Sequence, residues 1–326
     1  MNSSTGISVP VFDPFSYGVE LPYERVLYPF GFRMQLTTNC HDVMRVAEEN
    51  WSGFPLLFED KSIELRMVVS DDQQAPSASG LIFRAQRHLL TLQSDRNNFA
   101  VCDLDKGFSF GWFVPATTRN HTFLRRYFLD TIVYVLLWQT HLTSIHAGCV
   151  ARRGRAVLLC GESGAGKSCL SYACARRGWE FITDESSALL RRTKDRIVLG
   201  KPHQMHFRES AEAVLPELKS RLRPTNAPGE ISIEVQTAGL PGIQTAFQSQ
   251  AAATVFLNRG AGGPARLVPV TPEQACERLE RSLPLFQPLV HEEHRASLRH
   301  LVQAGAYELR YGDLDEAVQL LESLVA

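Results

Sequence analysis

The chain has 326 residues, 44% of them hydrophobic, so it can bury a full core and has room for two domains of ordinary size. Its 34 basic and 35 acidic residues give a formal net charge of −1, which excludes a bulk attraction to nucleic acid or to an anionic membrane. The seven cysteines form an odd set without a CxxC pair, which argues against a disulfide framework and a four-cysteine zinc site.

The first 118 residues carry the pattern of short strands. The polar start MNSSTG lacks the basic-then-apolar order of a signal peptide, and we therefore expect a cytoplasmic protein. Residues 41–51, HDVMRVAEENW, predict the one helix of this region. Stretches rich in β-branched and aromatic residues, separated by Gly, Asp, Ser and Asn, predict strands at 30–36, 63–69, 80–86, 88–94, 99–104 and 107–114. We assign residues 1–120 to a mainly β N-terminal domain.

The pattern changes near residue 121. Residues 121–142 predict one long, mostly buried helix, which runs into SIHAGCV, a predicted strand at 144–150. The longest uninterrupted apolar run, Ile132 to Trp138, is far shorter than the roughly 18 residues of a membrane-spanning helix. Residues 121–326 form the predicted second domain, with the change of pattern lying between residues 120 and 142. Near its end, a capping arrangement at Thr271 and an amphipathic stripe beyond residue 312 predict two helices.

The segment GESGAGKS, from Gly161 to Ser168, matches the phosphate-binding motif G-x-x-x-x-G-K-S. Its glycines let backbone N–H groups turn toward phosphate oxygens, and the following helix adds its positive end. The strand RAVLLC before it and the helix SCLSYACARRG after it supply the required context. We expect an ATP site with Mg²⁺ built from Gly161, Glu162, Ser163, Gly164, Ala165, Gly166, Lys167, Ser168 and Cys169.

Two acids, Asp184 and Glu185, follow the next predicted strand. Neighbouring side chains of an extended strand point to opposite faces, so one carboxylate could hold Mg²⁺ while the other addresses a substrate hydroxyl. A solvated strand end is the alternative interpretation. His146, among apolar neighbours in SIHAGCV, is by itself more typical of a core residue than of a catalytic one.

These landmarks together resemble the catalytic core of the HPr kinase/phosphorylase family, bacterial enzymes that phosphorylate a serine of the sugar-transport protein HPr. That family has a His-Gly or His-Ala strand, a GxSGxGKS loop, and an acidic pair after a helix and an R-G-x segment. The counterparts in this chain are His146-Ala147, Gly161 to Ser168, and Asp184-Glu185 after Arg177-Gly178-Trp179. The match is close over about 50 residues and loose over 121–326. It implies an α/β fold: a P-loop domain of the HPr kinase and PEP carboxykinase type after a mainly β N-terminal domain.

The resemblance also implies roles for single residues. Lys167 and Ser168 would hold the nucleotide phosphates and Mg²⁺, and Asp184 would be the general base toward a hydroxyl. Glu185 would help to bind the metal, and His146 would orient or tune Asp184. Arg208, in HFRE, corresponds to the arginine of the family's E-I-R-G signature and is therefore a candidate substrate or phosphate contact.

Three positions depart from the family pattern. Glu185 stands where the second acid is usually Asp, Cys169 stands where G-K-S-E has its acid, and His206 replaces the acid of E-I-R-G. The chain is therefore similar to stand-alone relatives of the family, some of which modify hydroxyls other than that of HPr. The expected partner is a hydroxyl-bearing protein, peptide or small molecule, with self-association into a homo-oligomer left open and with no nucleic acid or membrane.

Two other functions remain open from the sequence alone. One is a non-catalytic module that uses ATP occupancy as a switch, and the other is a PEP-carboxykinase-like enzyme with a similar loop. A pure switch needs neither a base nor a partner for that base, so Asp184 and His146 distinguish it from a kinase.

Overall fold

The computed structural model describes residues 18–71, 80–213, 215, 225–226, 230–260, 263–283 and 288–326, and it has a mixed α/β fold. The chain divides into two compact units, Met1–Leu136 and Leu137–Ala326. This division lies within residues 120–142, the range over which the sequence pattern changes. It lies 16 residues after the predicted domain boundary at residue 120. Across the described ranges, no helix is both long enough and apolar enough to cross a membrane.

The first unit contains a seven-stranded sheet with the strand order β1-β2-β3-β7-β6-β5-β4. Its strands are β1 (Tyr23–Leu27), β2 (Phe32–Thr38), β3 (Phe58–Val69), β4 (Ile82–Gln86), β5 (Leu89–Asp95), β6 (Asn98–Asp103) and β7 (Phe108–Phe113). Every strand predicted here is present, and β1 is an addition. Helix α1 (His41–Trp51) has the predicted bounds, and it connects the parallel strands β2 and β3.

The helix predicted over residues 121–142 is present as an uninterrupted helical run from 121 to 140, but its middle has π-helical hydrogen bonds. After α2 (Pro115–Arg119) come the short α3 (His121–Phe123), a π-helical stretch Leu124–Leu129, and α4 (Asp130–Thr140). The backbone N–H of Asp130 donates to the carbonyl of Arg125, five residues back, which is the π pattern. Apolar periodicity therefore located helical residues here but did not specify their hydrogen bonding.

The second unit holds a ten-stranded sheet with the order β17-β11-β9-β10-β18-β13-β12-β8, to which β20 and β19 attach beside β18, and a three-stranded sheet β14-β16-β15. The strands are β8 (Leu142–Ile145), β9 (Ala147–Arg152), β10 (Arg155–Cys160), β11 (Glu180–Thr183), β12 (Ser187–Leu190), β13 (Ile197–Leu199), β14 (Gln204–Arg208), β15 (Thr225–Asn226), β16 (Glu230–Gln236), β17 (Gln244–Thr245), β18 (Gln248–Arg259), β19 (Arg266–Pro269) and β20 (Ala306–Tyr311). The helices are α5 (Lys167–Arg176), α6 (Pro272–Glu280), α7 (Pro288–Val302) and α8 (Leu314–Glu322).

Strand β10 lies between two hydrophobic layers, which explains its continuous apolar sequence. Ala156 and Leu158 pack into the layer that includes α6 and α7, whereas Val157 and Leu159 pack into the layer that includes α5 and α8. The centre of the sheet is therefore buried on both faces. This rigid support holds the loop that follows β10.

The helix ends of this unit follow the local sequence signals. The Thr271 side chain accepts the N–H of Gln274 at 3.3 Å, as the capping arrangement predicts. Helix α5 is followed by Gly178 at φ +80°, the left-handed position that glycine takes past a helix end. Short 3₁₀ turns at Pro29–Gly31, Glu209–Ala213 and Thr237–Gly239 complete the assignment.

Candidate functional site

The Gly161–Ser168 loop leaves the carboxyl end of β10 and enters α5 at Lys167. Strand β10 is parallel to β18, and β18 is parallel to β20, so the carboxyl ends of these three strands meet at one edge. In sheets of this kind ligands bind outside the carboxyl ends of the strands. The N-terminus of α5, the positive end of its dipole, makes the electrostatic potential at this edge more positive.

Glycine is required in the loop for conformation and for space. Gly164 and Gly166 have φ of +89° and +96°, which L side chains rarely adopt. A Cβ atom at Gly161 would lie 2.8 Å from the Cβ of Ala165, and one at Gly166 would lie 2.8 Å from the hydroxyl of Tyr311. The loop is therefore a tight backbone cradle, as the motif predicts.

Lys167 is nearly buried, with 7% of its surface exposed, and its ammonium group lies against the loop. It donates to the carbonyls of Gly161 and Glu162 at 2.7 and 3.3 Å and lies 3.0 Å from Nε2 of His146. Burial lowers the pKa of Lys167, and the nearby charge of Glu185 opposes that effect. The ammonium group is thus held at the edge where the acids lie.

His146 does not lie within a strand, as SIHAGCV predicted, but between β8 and β9. Strand β8 pairs with β12, whereas β9 pairs with β10 and β11, so the chain changes its position in the sheet at this residue. Because Lys167 donates to Nε2, the His146 ring is neutral and carries its proton on Nδ1. Burial and the charge of Lys167 both lower the pKa of His146.

Asp184 and Glu185 follow the end of β11 and reach the same edge as the loop. Strand β11 is antiparallel to β9, and β9 is antiparallel to β10, so β10 and β11 end together. Asp184 is 3% exposed, whereas Glu185 is exposed. Both acids lie in a bend directly after the strand rather than within it.

The partner of Asp184 is His206, on β14. The backbone N–H of His206 donates to Oδ2 of Asp184 at 2.6 Å, and the ring Nδ1 lies 3.8 Å from Oδ1. Nε2 of the same ring lies 3.7 Å from Oε2 of Glu234, which faces His206 in the β14–β16 register. Burial alone would lower the pKa of His206, but the two carboxylates raise it to about 10. The two carboxylates therefore favour the protonated form of His206.

This arrangement corrects the role that the resemblance implied for His146. Within the described ranges Asp184 makes no hydrogen bond to His146, which contacts Lys167 instead. Gly200 helps to bring the β14 segment against β11, because a Cβ there would lie 2.5 Å from the carbonyl oxygen of Ile182. The connection between β13 and β14 thus passes directly over the end of β11.

Two arginines flank the loop. Arg208 donates to the hydroxyl of Ser163, and its Nη1 lies 3.6 Å from a Cβ placed at Gly164. Arg259, the last residue of β18, lies beside Gly166, where a Cβ would be 3.8 Å from its Nη1. Arg208 was a sequence-predicted contact, and Arg259 was not.

The other predicted residues lie in the first turn of α5. Ser168 is half-buried there, and Cys169 is buried, which raises the pKa of its thiol. Within the described segments, no group of three or more His, Cys, Asp or Glu side chains is arranged to hold a metal ion. Ser168 and Glu185 carry oxygen atoms of the kind that Mg²⁺ prefers as ligands.

Sequence reasoning missed His206 as the partner of Asp184, and it missed Glu234, Arg259 and Tyr311 altogether. His206 was noticed only as a departure from the family signature. Glu234 lies in an alternating strand, and Arg259 and Tyr311 end strands, so none carries a local motif. These residues can be identified as part of the site only from the contacts that they make in the folded sheet.

Comparison with known proteins finds similarity to solved structures only at a distance. No family model matches the chain, and no curated protein matches it. A solved structure of the HPr(Ser) kinase/phosphatase from Coxiella burnetii is similar over 56% of this chain and 93% of that chain, with 15% identity and a TM-score of 0.31.

Proposed function

We propose that this protein is an ATP- and Mg²⁺-dependent kinase that transfers the γ-phosphate to a serine, threonine or other hydroxyl of a protein, peptide or small molecule. One observation carries the proposal. A glycine cradle at a helix N-terminus, with Lys167, lies at the same sheet edge as Asp184 and Glu185. Proteins catalyse phosphoryl transfer mainly by positioning the reactants and by stabilising negative charge, and these groups can do both.

The loop residues fit a polyphosphate. Backbone N–H groups of the cradle and the first turn of α5 would bind the phosphate oxygens, and Lys167 would leave the Gly161 carbonyl to reach the β and γ phosphates. Arg208, already beside Ser163 and Gly164, would add charge on the acceptor side. A Cβ at Gly161 would collide with Ala165 and one at Gly166 with Tyr311, so the loop could not keep this conformation with larger residues there.

Ser168 and Glu185 fit Mg²⁺, because a hydroxyl and a carboxylate are the hard oxygen ligands this ion prefers. When bound there, the ion would neutralise charge on the phosphates. Glu185 is exposed and close enough to raise the pKa of Lys167, so its carboxylate faces the same space as the ammonium group.

Asp184 would act on the acceptor. The acceptor oxygen forms a bond to the γ-phosphorus, the bond from that phosphorus to the β,γ-bridging oxygen breaks, and ADP leaves. The acceptor proton passes to the Asp184 carboxylate late in the step. The backbone N–H of His206 would hold that carboxylate in a fixed position, and Glu234 would in turn position the His206 ring.

A second function, an ATP-binding switch without chemistry, is favoured by one observation. Only 4% of the Asp184 side chain is exposed, and one oxygen is already bound by the His206 N–H, which suits a structural acid as well as a base. Turnover distinguishes the two functions, since a switch would bind ATP without transferring phosphate.

The test begins with Lys167→Ala. Removal of the loop cation should weaken ATP binding and lower turnover by about 10²-fold or more, because the other phosphate ligands of the loop are backbone dipoles. Binding is measured by calorimetry and transfer with γ-labelled ATP in a lysate, which also reveals the acceptor. Lys194→Ala, an exposed lysine of the same unit, is the control and should behave as wild type. Normal transfer by the Lys167 variant would refute the assignment.

A further inference from the structure

Arg259 lies at the loop because of the length of β18. Phe256 is the register partner of Cys160, the last residue of β10, and Arg259 follows it three residues later. At about 3.3 Å per strand residue, β18 extends about 10 Å past the end of β10, alongside the loop. The opposite neighbour of Arg259 in the sheet is Tyr311, whose hydroxyl donates to the Ala165 carbonyl at 3.3 Å.

The guanidinium lies over the start of α5. A Cβ at Gly166 would be 3.5 Å from Cδ and 3.8 Å from Nη1 of Arg259. Its positive charge also acts on the thiol of Cys169 and the hydroxyl of Tyr311, where it opposes the burial that raises both pKa values. The cation therefore covers Gly166 and the first turn of the helix.

Within the described part of the chain, Arg259 has no acidic partner, although neighbouring arginines do. Arg310 and Arg278 both pair with Glu308, and Arg152 pairs with Glu322. The Arg259 side chain is exposed, so its charge is available to a ligand. The unpaired guanidinium and the N-terminus of α5 both contribute positive electrostatic potential here, and both therefore favour the binding of an anion.

Arg259 lies on a different side of the loop from the other cations. Arg208 is close enough to lower the pKa of Lys167 and contacts Ser163, whereas Arg259 acts at Gly166, Cys169 and Tyr311. Lys167 and Arg208 thus lie toward the acids, and Arg259 lies toward the side away from them. A polyphosphate in the cradle would meet different cations at its two ends.

We propose that Arg259 binds the phosphates of the nucleotide that are not transferred, and so determines the affinity for the donor rather than the rate of transfer. This inference rests on the proposed function of the loop. Lys167 would then bind the β and γ phosphates, Arg208 the γ-phosphate, and Arg259 the α and β phosphates, which ADP retains.

The experiment compares Arg259→Gln, Arg259→Lys and Arg266→Gln with the wild-type full-length chain. Arg266 is an exposed arginine of β19, two strands further along the same edge, so its variant makes the same charge change away from the loop. Dissociation constants for ATP and ADP are measured by calorimetry with Mg²⁺ present. KM and kcat are measured with the acceptor found in the lysate, and thermal unfolding verifies that each variant is folded.

We expect Arg259→Gln to weaken ATP and ADP binding by the same factor, about 10- to 100-fold, with kcat unchanged. Arg259→Lys should recover part of the loss, and Arg266→Gln should match wild type. Unchanged affinity in Arg259→Gln, a loss for ATP alone, or an equal loss in Arg266→Gln would each overturn the inference. If Lys167→Ala still weakens ATP binding in those cases, the proposed function stands. A wild-type chain that binds neither nucleotide overturns both.

Discussion

The contact between Asp184 and His206 decides how the proposed base is held. The two residues meet through the backbone N–H of His206 and through its ring, and a substitution of His206 removes the ring while it leaves that N–H in place. We expect Asp184→Asn to lower turnover by about 10²- to 10⁴-fold with little change in ATP affinity. His206→Gln should lower turnover as well, and the double variant should be hardly worse than the poorer single one.

Variants of His146 and His203 are the controls for this comparison of single and double variants. His146 contacts Lys167 rather than Asp184, so His146→Ala combined with Asp184→Asn should give multiplicative losses. His203→Gln, whose ring lies 5.5 Å from the ring of Phe247, should leave turnover near wild type. Multiplicative losses for Asp184 with His206 would show that they act separately, and an active Asp184→Asn enzyme would remove the base assignment.

His294, on α7, predicts a pH dependence of stability. Its ring is fully buried and its Nδ1 lies 2.9 Å from the hydroxyl of Thr143. Burial, followed by the charges of Arg191 and His291, lowers the pKa of His294 from 6.5 to about 3. Between these values the unfolded chain binds the proton and the folded chain does not. The neutral ring therefore contributes stability that is fully present above about pH 6.5 and is lost as the pH falls toward 3.

From pH 7 to pH 5 this histidine should reduce the free energy of unfolding by about 2 kcal/mol. Urea denaturation at both pH values measures the effect, and His294→Gln, which cannot titrate, is the matched comparison. The wild-type loss should exceed the loss in the variant by about that amount. Equal losses in both proteins would show that His294 does not titrate on unfolding.

At the scale of elements, the start of α8 depends on one side chain. Asp313 accepts the N–H groups of Asp315 and Glu316 at 2.8 and 3.0 Å, and the helix then buries Val318 and Leu321 against the sheet. Asp313→Ala should lower the free energy of unfolding by about 1 kcal/mol, because two helix donors lose their acceptor. Asp313→Asn keeps an acceptor oxygen and should retain most of the stability. Equal urea midpoints for the alanine variant and the wild type would contradict this cap.

At the scale of the whole molecule, the loop and its flanking residues all lie in the unit Leu137–Ala326. A nucleotide at 100 times its dissociation constant should raise the free energy of unfolding of that unit by about 2.7 kcal/mol. Hydrogen exchange followed by mass spectrometry would detect this as slower exchange in β10, α5 and β18. Lys167→Ala should abolish the effect. Protection confined to residues before 137 would place the nucleotide elsewhere.

The sequence by itself determined the elements whose signals are local. Helix α1 has its predicted bounds, and strand, loop and helix follow one another through Gly161–Ser168 as the motif requires. These succeed because periodicity, glycine conformation and helix caps act over a few neighbouring residues. The same local patterns missed the π-helical stretch and the break at His146, since both depend on contacts beyond the segment.

Only the tertiary structure decided which side chains meet at the site. The order β11-β9-β10-β18 brings the end of β11, the start of β9 and the loop to one edge, and it places Arg259 beside Gly166. The small sheet gives Asp184 its partner His206, and His206 its partner Glu234. Strand order and register are chosen by burial summed over the whole sheet, so no local pattern encodes these pairs. The sequence could therefore name the glycine-rich loop and the acids as candidates, while the fold determined which residues position them.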